Sequence, residues 1–487
     1  MDDSSSRLNS TRTIVQENDT YSAHFSYRSA AVAFLVHAVH QVFGPLGLLL
    51  LRPAVGKELL GNMHLGWKWT YTLEFAFWVY TALLGPFLYY KGERVGVFMP
   101  EVVYGLSALF LRVLMVSIKY GSLTKKQWQR VKSDSLSPAH RKTLRIDFWQ
   151  NLTVDTAYEE IRYAFTRLPV NIQALHLMFK GETQEVLRRE GVETILEESI
   201  EGIGSTIKMK VAALTAGEFL VERLCEPETQ LWYRLARVSG YLFALLPFIV
   251  RLQTFGLSSL SLSPDEAFFS LATAGICALV ASNFNKFLAI GVADMKRKLR
   301  LVQECIVISS WCTRQAQLPK LDFSYPETAV ALYYLRRSFF DFGRRYMQRV
   351  HLYAALMLPI SVLMVFYIVL QAIKLLSTGY NMLLLPGFYH ALCSDIFLCG
   401  MILQAVDINK TFLIQRDLLL EAIARLHQSG VIHEMSARRL TWAERKLAQD
   451  CSLRPLTILG VAISQAFVNQ LAALLLSGVF ALVHLNS

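Results

Sequence analysis

The segment VAISQAFVNQLAALLLSGVFALVHL (461–485) is apolar enough to cross a bilayer, yet it carries Ser464, Gln465, Asn469, Gln470, Ser477 and His484. An amide in hydrocarbon is costly unless it meets a partner or water. Gln465 and Asn469 are four residues apart and so share a helix face, and Ala472, Leu476 and Phe480 continue that stripe to His484. A face that is polar in its inner half and apolar in its outer half suits a hydrated vestibule below a hydrophobic constriction that gates by dewetting. The candidate lining residues are therefore Gln465, Asn469, Ala472, Leu476, Phe480 and His484. Interhelical hydrogen bonding by Asn and Gln beside small residues is the competing account. For His484 the competing place is among lipid headgroups.

A second group could bind a small organic molecule. Charged residues inside apolar runs are costly and so informative; here they are Glu74, Glu101, Arg112, Arg251, Lys286 and Asp395. Arg251, Glu101 and Asp395 fall toward the outer halves of their segments, at the depth of Tyr104, Phe248, Phe269, Tyr367 and Tyr389. An aromatic concavity with a few polar groups is what a small ligand needs. The candidate pocket is Glu101, Tyr104, Phe248, Arg251, Phe269, Tyr367, Tyr389 and Asp395. Arg251 facing Glu101 or Asp395 favours a polar or anionic ligand, and an apolar pocket favours a volatile one. Alternatively, the aromatics form interfacial belts and Arg251 snorkels or pairs with an acid.

Signatures of enzymes are missing. HEMSARR (433–439) is not a zinc-protease HExxH, GIGSTIKMK (202–210) lacks the GK[ST] end of a phosphate loop, and no GxSxG occurs. Seven cysteines form no CxxC pair, so neither a disulfide framework nor a metal site is expected. No cofactor is expected.

These residues need a membrane scaffold. The 487-residue chain is 53% hydrophobic with a mean hydropathy of +0.34, which suits a polytopic membrane protein rather than a soluble one. Residues 1–28 are polar with no cleavable apolar core, so targeting is expected from the first span. The net charge of +11 is read as basic cytoplasmic loops rather than as a nucleic-acid surface. Apolar stretches fall at about 30–51, 67–90, 97–120, 236–257, 267–293, 351–375, 384–407 and 456–485. Residues 121–235, 294–350 and 408–455 are basic and should be cytoplasmic, whereas SSLSLSPDE (258–266) and STGYN (377–381) contain no Lys or Arg and should be outside. By this parity KGERVG (91–96) is an outer turn and the C-terminus is outside.

Residues 30–51 contain His37, His40, Gln41 and a central Gly-Pro, and either span or lie along the inner interface. The interfacial placement is preferred. The expected fold is then an all-α polytopic membrane protein with seven transmembrane helices, N-terminus inside and C-terminus outside, on a helical cytoplasmic anchor base. Its expected order is a cytoplasmic N-terminal region (1–66) holding the interfacial or re-entrant helix 30–51, spans in 67–120, a cytoplasmic helical segment (121–235), spans in 236–293, a second helical segment (294–350), spans in 351–407, anchor helices (408–455) and a final span (456–485). Helix-compatible sequence runs past the membrane from Ala267 to Cys312 and from Leu384 to His427, and 431–454 reads as a separate amphipathic helix.

This layout resembles the insect gustatory and odorant receptor superfamily, above all its gustatory branch. The gustatory signature is Thr-Tyr, five mostly apolar residues, then Gln-Phe near the end of the last helix. The corresponding stretch here is Ser477-Gly478-Val479-Phe480-Ala481-Leu482-Val483-His484-Leu485. Spacing and apolar middle are similar, with Ser-Gly for Thr-Tyr, His for Gln and Leu for Phe. Pro455-Leu456-Thr457 resembles the lead-in to that helix, and VFGPLGLLLLRP (42–53) resembles the Gly-Leu-rich segment before the first span. The resemblance implies a plasma-membrane, multi-pass chemoreceptor acting as a ligand-gated cation channel. It implies a homo- or hetero-tetramer whose last helices line a central pore, with a tastant or odorant pocket in the outer half of each subunit. Its partners are then that small molecule, the lipid bilayer and permeant cations, and not nucleic acid. With only Asn486 and Ser487 after the final span, the conduction path itself is the expected output. A membrane transporter and a non-conducting scaffold are the other classes that fit the sequence.

Overall fold

The computed structural model describes residues 67–121, 174–180, 200–203, 206–212, 230–309, 320–341, 357–367, 385–428, 434–458 and 461–484, with isolated positions between 28 and 39 and position 370. The described chain is mostly helical: α1 Trp67–Lys91, α2 Val95–Gly121, α3 Gln230–Phe255, α4 Pro264–Ser309, α5 Pro326–Asp341, α6 Met357–Tyr367, α7 Leu385–Gln428, α8 Glu434–Leu453 and α9 Gln465–His484. Among the described residues four helices are long and apolar enough to cross a membrane, namely those within α2, α3, α4 and α7. This is a membrane protein.

The start of α4 shows how local sequence sets an element. Ser263-Pro264-Asp265-Glu266 puts Pro at the first helical position and acids in the first turn. The Glu266 carboxylate reaches back to accept from the Ser263 backbone N–H at 3.0 Å, half of a capping box. From there α4 runs to Ser309, 46 residues in all with no proline after Pro264, about 69 Å at 1.5 Å per residue, and α7 runs 44, about 66 Å. Both exceed the ~30 Å hydrocarbon thickness and match the long helical runs expected from the sequence.

Packing divides these rods into two cores. The first joins α1 to α4 and the upper part of α7 through Phe98, Tyr104, Phe243, Phe269, Phe284, Phe287 and Phe397. Within it α3 and α4 touch backbone to backbone. A Cβ at Gly240 would lie 2.5 Å from Ser282 Cβ and 2.6 Å from its Cα. The outward face of α3 is Leu231, Leu235, Val238, Leu242, Leu245, Ile249 and Leu252, all exposed. A continuous exposed apolar stripe of this kind belongs against lipid.

The second core is the base. It joins the far part of α4 (Leu301, Val302, Cys305) with α5 (Leu332, Leu335, Phe339), α7 (Phe412, Leu419), α8 (Leu440, Leu447) and Leu175. Arg336 is buried there, its guanidinium carbon 3.8 Å from the Phe412 ring centroid and its Nη2 donating to Thr411 Oγ1 at 3.2 Å. Burial pulls the Arg336 pKa down to about 10. The Tyr333 hydroxyl donates to Asp450 at 2.9 Å, and burial, reinforced by that carboxylate, pushes its pKa up to about 12. All three basic segments contribute to this base.

Two expectations need correction. Residues 121–235 are not helical throughout: β1 Ala174–Lys180, β2 Ile200–Ile203 and β3 Thr206–Ala212 are strands. With β4 Lys320–Leu321, from the second basic segment, they form an antiparallel sheet of order β2-β3-β1-β4. TIKMKVA alternates apolar with polar residues at period two, a pattern that suits a half-buried strand and not a helix, and ALHLMFK sets Leu175, Leu177 and Phe179 on one strand face. Nor does the last helix run from 456. Strands β5 Thr457–Ile458 and β6 Val461–Ala462 pair antiparallel, and α9 starts only at Gln465. The paired residues Thr457, Ile458 and Val461 are β-branched, which lowers helix propensity. Ser464 then caps α9, its Oγ accepting from Phe467 N at 3.1 Å.

The remainder of 122–229 and of 351–384 lies outside the described residues, as does 40–51. The described positions between 28 and 39 are mostly helical. They lie along the C-terminal half of α2, where Ser117 Oγ donates to Ala30 O at 2.7 Å and the Phe34 and Phe110 rings are 6.1 Å apart.

Candidate functional site

At one end of the bundle the two turns expected outside meet. Lys91 Nζ lies 2.6 Å from Asp265 and 3.2 Å from Glu266, and Arg94 lies 3.3 Å from Glu266. Segments 91–96 and 258–266 therefore share an end of the membrane domain, as the loop-charge parity requires. The base, which collects the basic segments, sits at the other end of α4.

One layer below the turns, α2, α3 and α4 converge on a buried ion pair. Arg251 Nη1 lies 2.6 Å from Glu101 Oε1, with side chains 1% and 0% exposed. Ser270 bridges them, accepting from Arg251 at 3.2 Å and donating to Glu101 at 3.4 Å. The guanidinium lies 5.3 Å from the Phe98 ring and 5.5 Å from Phe248. Two charges out of water persist only when paired and hydrogen-bonded. Phe269 extends the group, stacked on Phe87 at 3.9 Å and edge-on to Phe98 at 6.5 Å. Of the candidate pocket residues, Glu101, Arg251, Phe248 and Phe269 are thus brought together. The acid partner of Arg251 is Glu101.

Tyr104 and Tyr389 belong to a second, adjoining group. Both rings flank Phe243, at 5.1 and 5.3 Å, and the Tyr389 hydroxyl donates to the Ser239 carbonyl. Asn285 Nδ2 donates to Ser239 Oγ at 2.7 Å. His390 is buried at 4% exposure, 4.4 Å from the Phe243 ring centroid and 6.0 Å from Phe284. Asp395 is elsewhere. It accepts from Ser361 Oγ of α6 at 2.9 Å, and Tyr367 packs on Phe388 at 5.5 Å. The eight candidates therefore form neighbouring clusters on α2, α3, α4, α6 and α7, not one wall. Arg112 is buried and Lys286 exposed. The Glu74 side chain lies outside what is described.

An apolar groove of about 580 Å3 opens between α1 and α4, lined by Tyr80, Phe87, Phe268, Ala272 and Ile276, with Lys91 and Asp265 at one end. Phe269 is the candidate pocket residue that lines it. Among the described residues no group of three or more His, Cys, Asp and Glu is placed to hold a metal.

On α9, Gln465, Asn469, Ala472, Leu476, Phe480 and His484 are all exposed, Leu476 and Phe480 by 60% and 71%. Gln465 Nε2 donates to Asn469 Oδ1 at 3.2 Å along the helix face. The helix touches the first core through Phe467 and Val468, and a Cβ at Gly478 would approach the Phe366 ring of α6 at 3.2 Å.

Sequence reasoning missed Ser270, Ser239, Asn285, His390 and Asn409. For the first four, a polar residue in an apolar run was the available signal, but only three-dimensional proximity ranks them. Compared with known protein families, with curated proteins and with solved structures, the chain has no match.

Proposed function

We propose that this chain is one subunit of a ligand-gated, non-selective cation channel of the gustatory-receptor type. It assembles as a tetramer in the plasma membrane and responds to a small tastant or odorant. It has seven spans with the N-terminus inside and the C-terminus outside, and the closing helices line the pore.

The observation that carries this reading is the exposed stripe of α9. Its 20 residues suffice to cross hydrocarbon, and its exposed face passes from amides at Gln465 and Asn469 to apolar Leu476 and Phe480. Such a face is poorly matched to lipid at its amide end and well matched to a water-filled path. The meeting of Lys91 and Arg94 with Asp265 and Glu266 supports the parity on which the orientation rests. The Glu101–Arg251 and Tyr104–Tyr389 clusters lie between that end and the base, where a ligand could alter packing among α2, α3, α4 and α7.

The test begins with topology and ends with current. Expected are absence of glycan at Asn9 and Asn18, surface staining of a C-terminal tag on intact cells, and cation current from purified protein in planar bilayers. Glycosylated Asn9 or Asn18 with an internal tag would overturn the orientation. Saturable substrate uptake without unitary openings would make the protein a transporter, and neither activity would leave a scaffold.

A further inference from the structure

The lead-in to α9 is hydrogen-bonded to α7 through the side chain of Asn409. Asn409, on α7, donates from Nδ2 to Leu456 O at 3.0 Å and to Ile463 O at 2.8 Å, and accepts from Leu456 N at 2.9 Å. Leu456 O also accepts from Ile463 N at 2.9 Å. The two backbone points that Asn409 joins flank the β5-β6 hairpin, which lies between α8 of the base and α9. Both donors and the acceptor of the amide are used, and backbone groups fix which way it points. Ile458 and Ile463 are buried beside it in the first core, so the hairpin is seated on α7 by packing and by these bonds together.

Asn409 stands on the same helix as Tyr389 and His390. From His390 to Asn409 is about 28 Å of continuous helix at 1.5 Å per residue. A packed helix moves as a unit. A shift or rotation of α7 at the aromatic cluster therefore reaches the hairpin through Asn409, and α9 starts two residues beyond Ile463. We propose that Asn409 is the positioning residue through which α7 sets the placement of α9 and couples the aromatic cluster to the conduction path. The coupling half of this inference rests on the channel reading; the clamp half does not.

The test uses the full-length chain in phosphatidylcholine nanodiscs and three variants: Asn409→Ala, Asn409→Asp and Asn409→Gln. Asp keeps the volume but sets a carboxylate against two carbonyls, whereas Gln keeps both donors and the acceptor. Amide exchange of peptides covering 455–464 should speed up about tenfold in the Ala and Asp variants and return toward the parent rate with Gln. Exchange within α8 and α4 should be unchanged, which separates a lost clamp from a failure to fold. In planar bilayers with symmetric potassium chloride and no added ligand, spontaneous open probability should change in the Ala and Asp variants at constant unitary conductance. Unchanged exchange at 455–464 would overturn the clamp. Faster exchange with unchanged open probability would overturn the coupling. If the parent chain carries no current, the channel reading falls and the coupling with it, while exchange still decides the clamp.

Discussion

Two helices turn a stripe of side chains away from the rest of the chain, and the stripes differ in kind. That of α3 is Leu231, Leu235, Val238, Leu242, Leu245, Ile249 and Leu252, apolar through its middle, with exposed Arg234 and Gln253 near its two ends. That of α9 is Gln465, Asn469, Ala472, Leu476, Phe480 and His484. The first is satisfied by acyl chains. The second holds amides that acyl chains cannot satisfy, and in the proposed assembly that face meets water. Exposure in a single membrane chain is therefore not one property, and the polar content of the exposed face separates lipid from other neighbours.

The strongest way to break the comparison is to loosen what fixes the orientation of α3. Its inward face carries Arg251, paired with Glu101. Arg251→Met alone should destabilise the membrane domain by about 3–5 kcal/mol, because Glu101 is left buried and uncompensated. Adding Glu101→Leu should recover most of that loss. Thermal unfolding in detergent reads both values. If the double variant is as unstable as the single one, the pair is more than mutual compensation.

Next in size is a charge placed on each stripe. Leu245→Arg should cost about 2.5–3.5 kcal/mol, the price of arginine facing hydrocarbon, read as loss of folded protein at the surface. Asn469→Arg should cost far less, since that face meets water in the proposed assembly. Equal losses at the two positions would erase the distinction.

A smaller effect is expected where α3 meets α4. Gly240→Ala sets a methyl 2.5 Å from Ser282 Cβ, so the helices must part. The overpacking cost is about 1–3 kcal/mol, measurable as a lower unfolding midpoint with the ion pair intact. No change would mean that the α3–α4 contact is looser than the backbone approach implies.

Much of this was legible in sequence, for identifiable reasons. Long apolar helices announce themselves by composition, so the expected bounds of α4 and α7 lie within a few residues of the observed ones, while the start signal Ser263-Pro264-Asp265-Glu266 falls inside the segment read as an outer loop. Loop charge sorted the segments as space does, because the three basic segments share the base. The sheet was not anticipated, since 174–180 and 206–212 are short runs inside a long charged region where helical composition dominates, and only the second alternates clearly. The pairing of Arg251 was left open between Glu101 and Asp395 because depth along a helix is readable from sequence and azimuth between helices is not. Asn409 was invisible for a related reason. Its partners are backbone atoms of the 456–463 stretch, and no side-chain pattern records them.

The smallest effect on stability sharpens the comparison most. Asn469→Leu removes one amide from an exposed face and leaves the Gln465 amide without its 3.2 Å acceptor. Because Gln465 is itself exposed, little buried polar energy is lost, and unfolding should shift by about 0.5 kcal/mol or less. On a lipid-facing helix such a change would be neutral or favourable and silent in function. On a hydrated pore face it removes a polar group at the level of the vestibule, so unitary cation conductance should fall while surface expression is unchanged. The same substitution thus separates the two kinds of stripe by function when stability cannot. Unaltered conductance in a conducting channel would place Asn469 against a neighbouring helix and move the path to another face of α9.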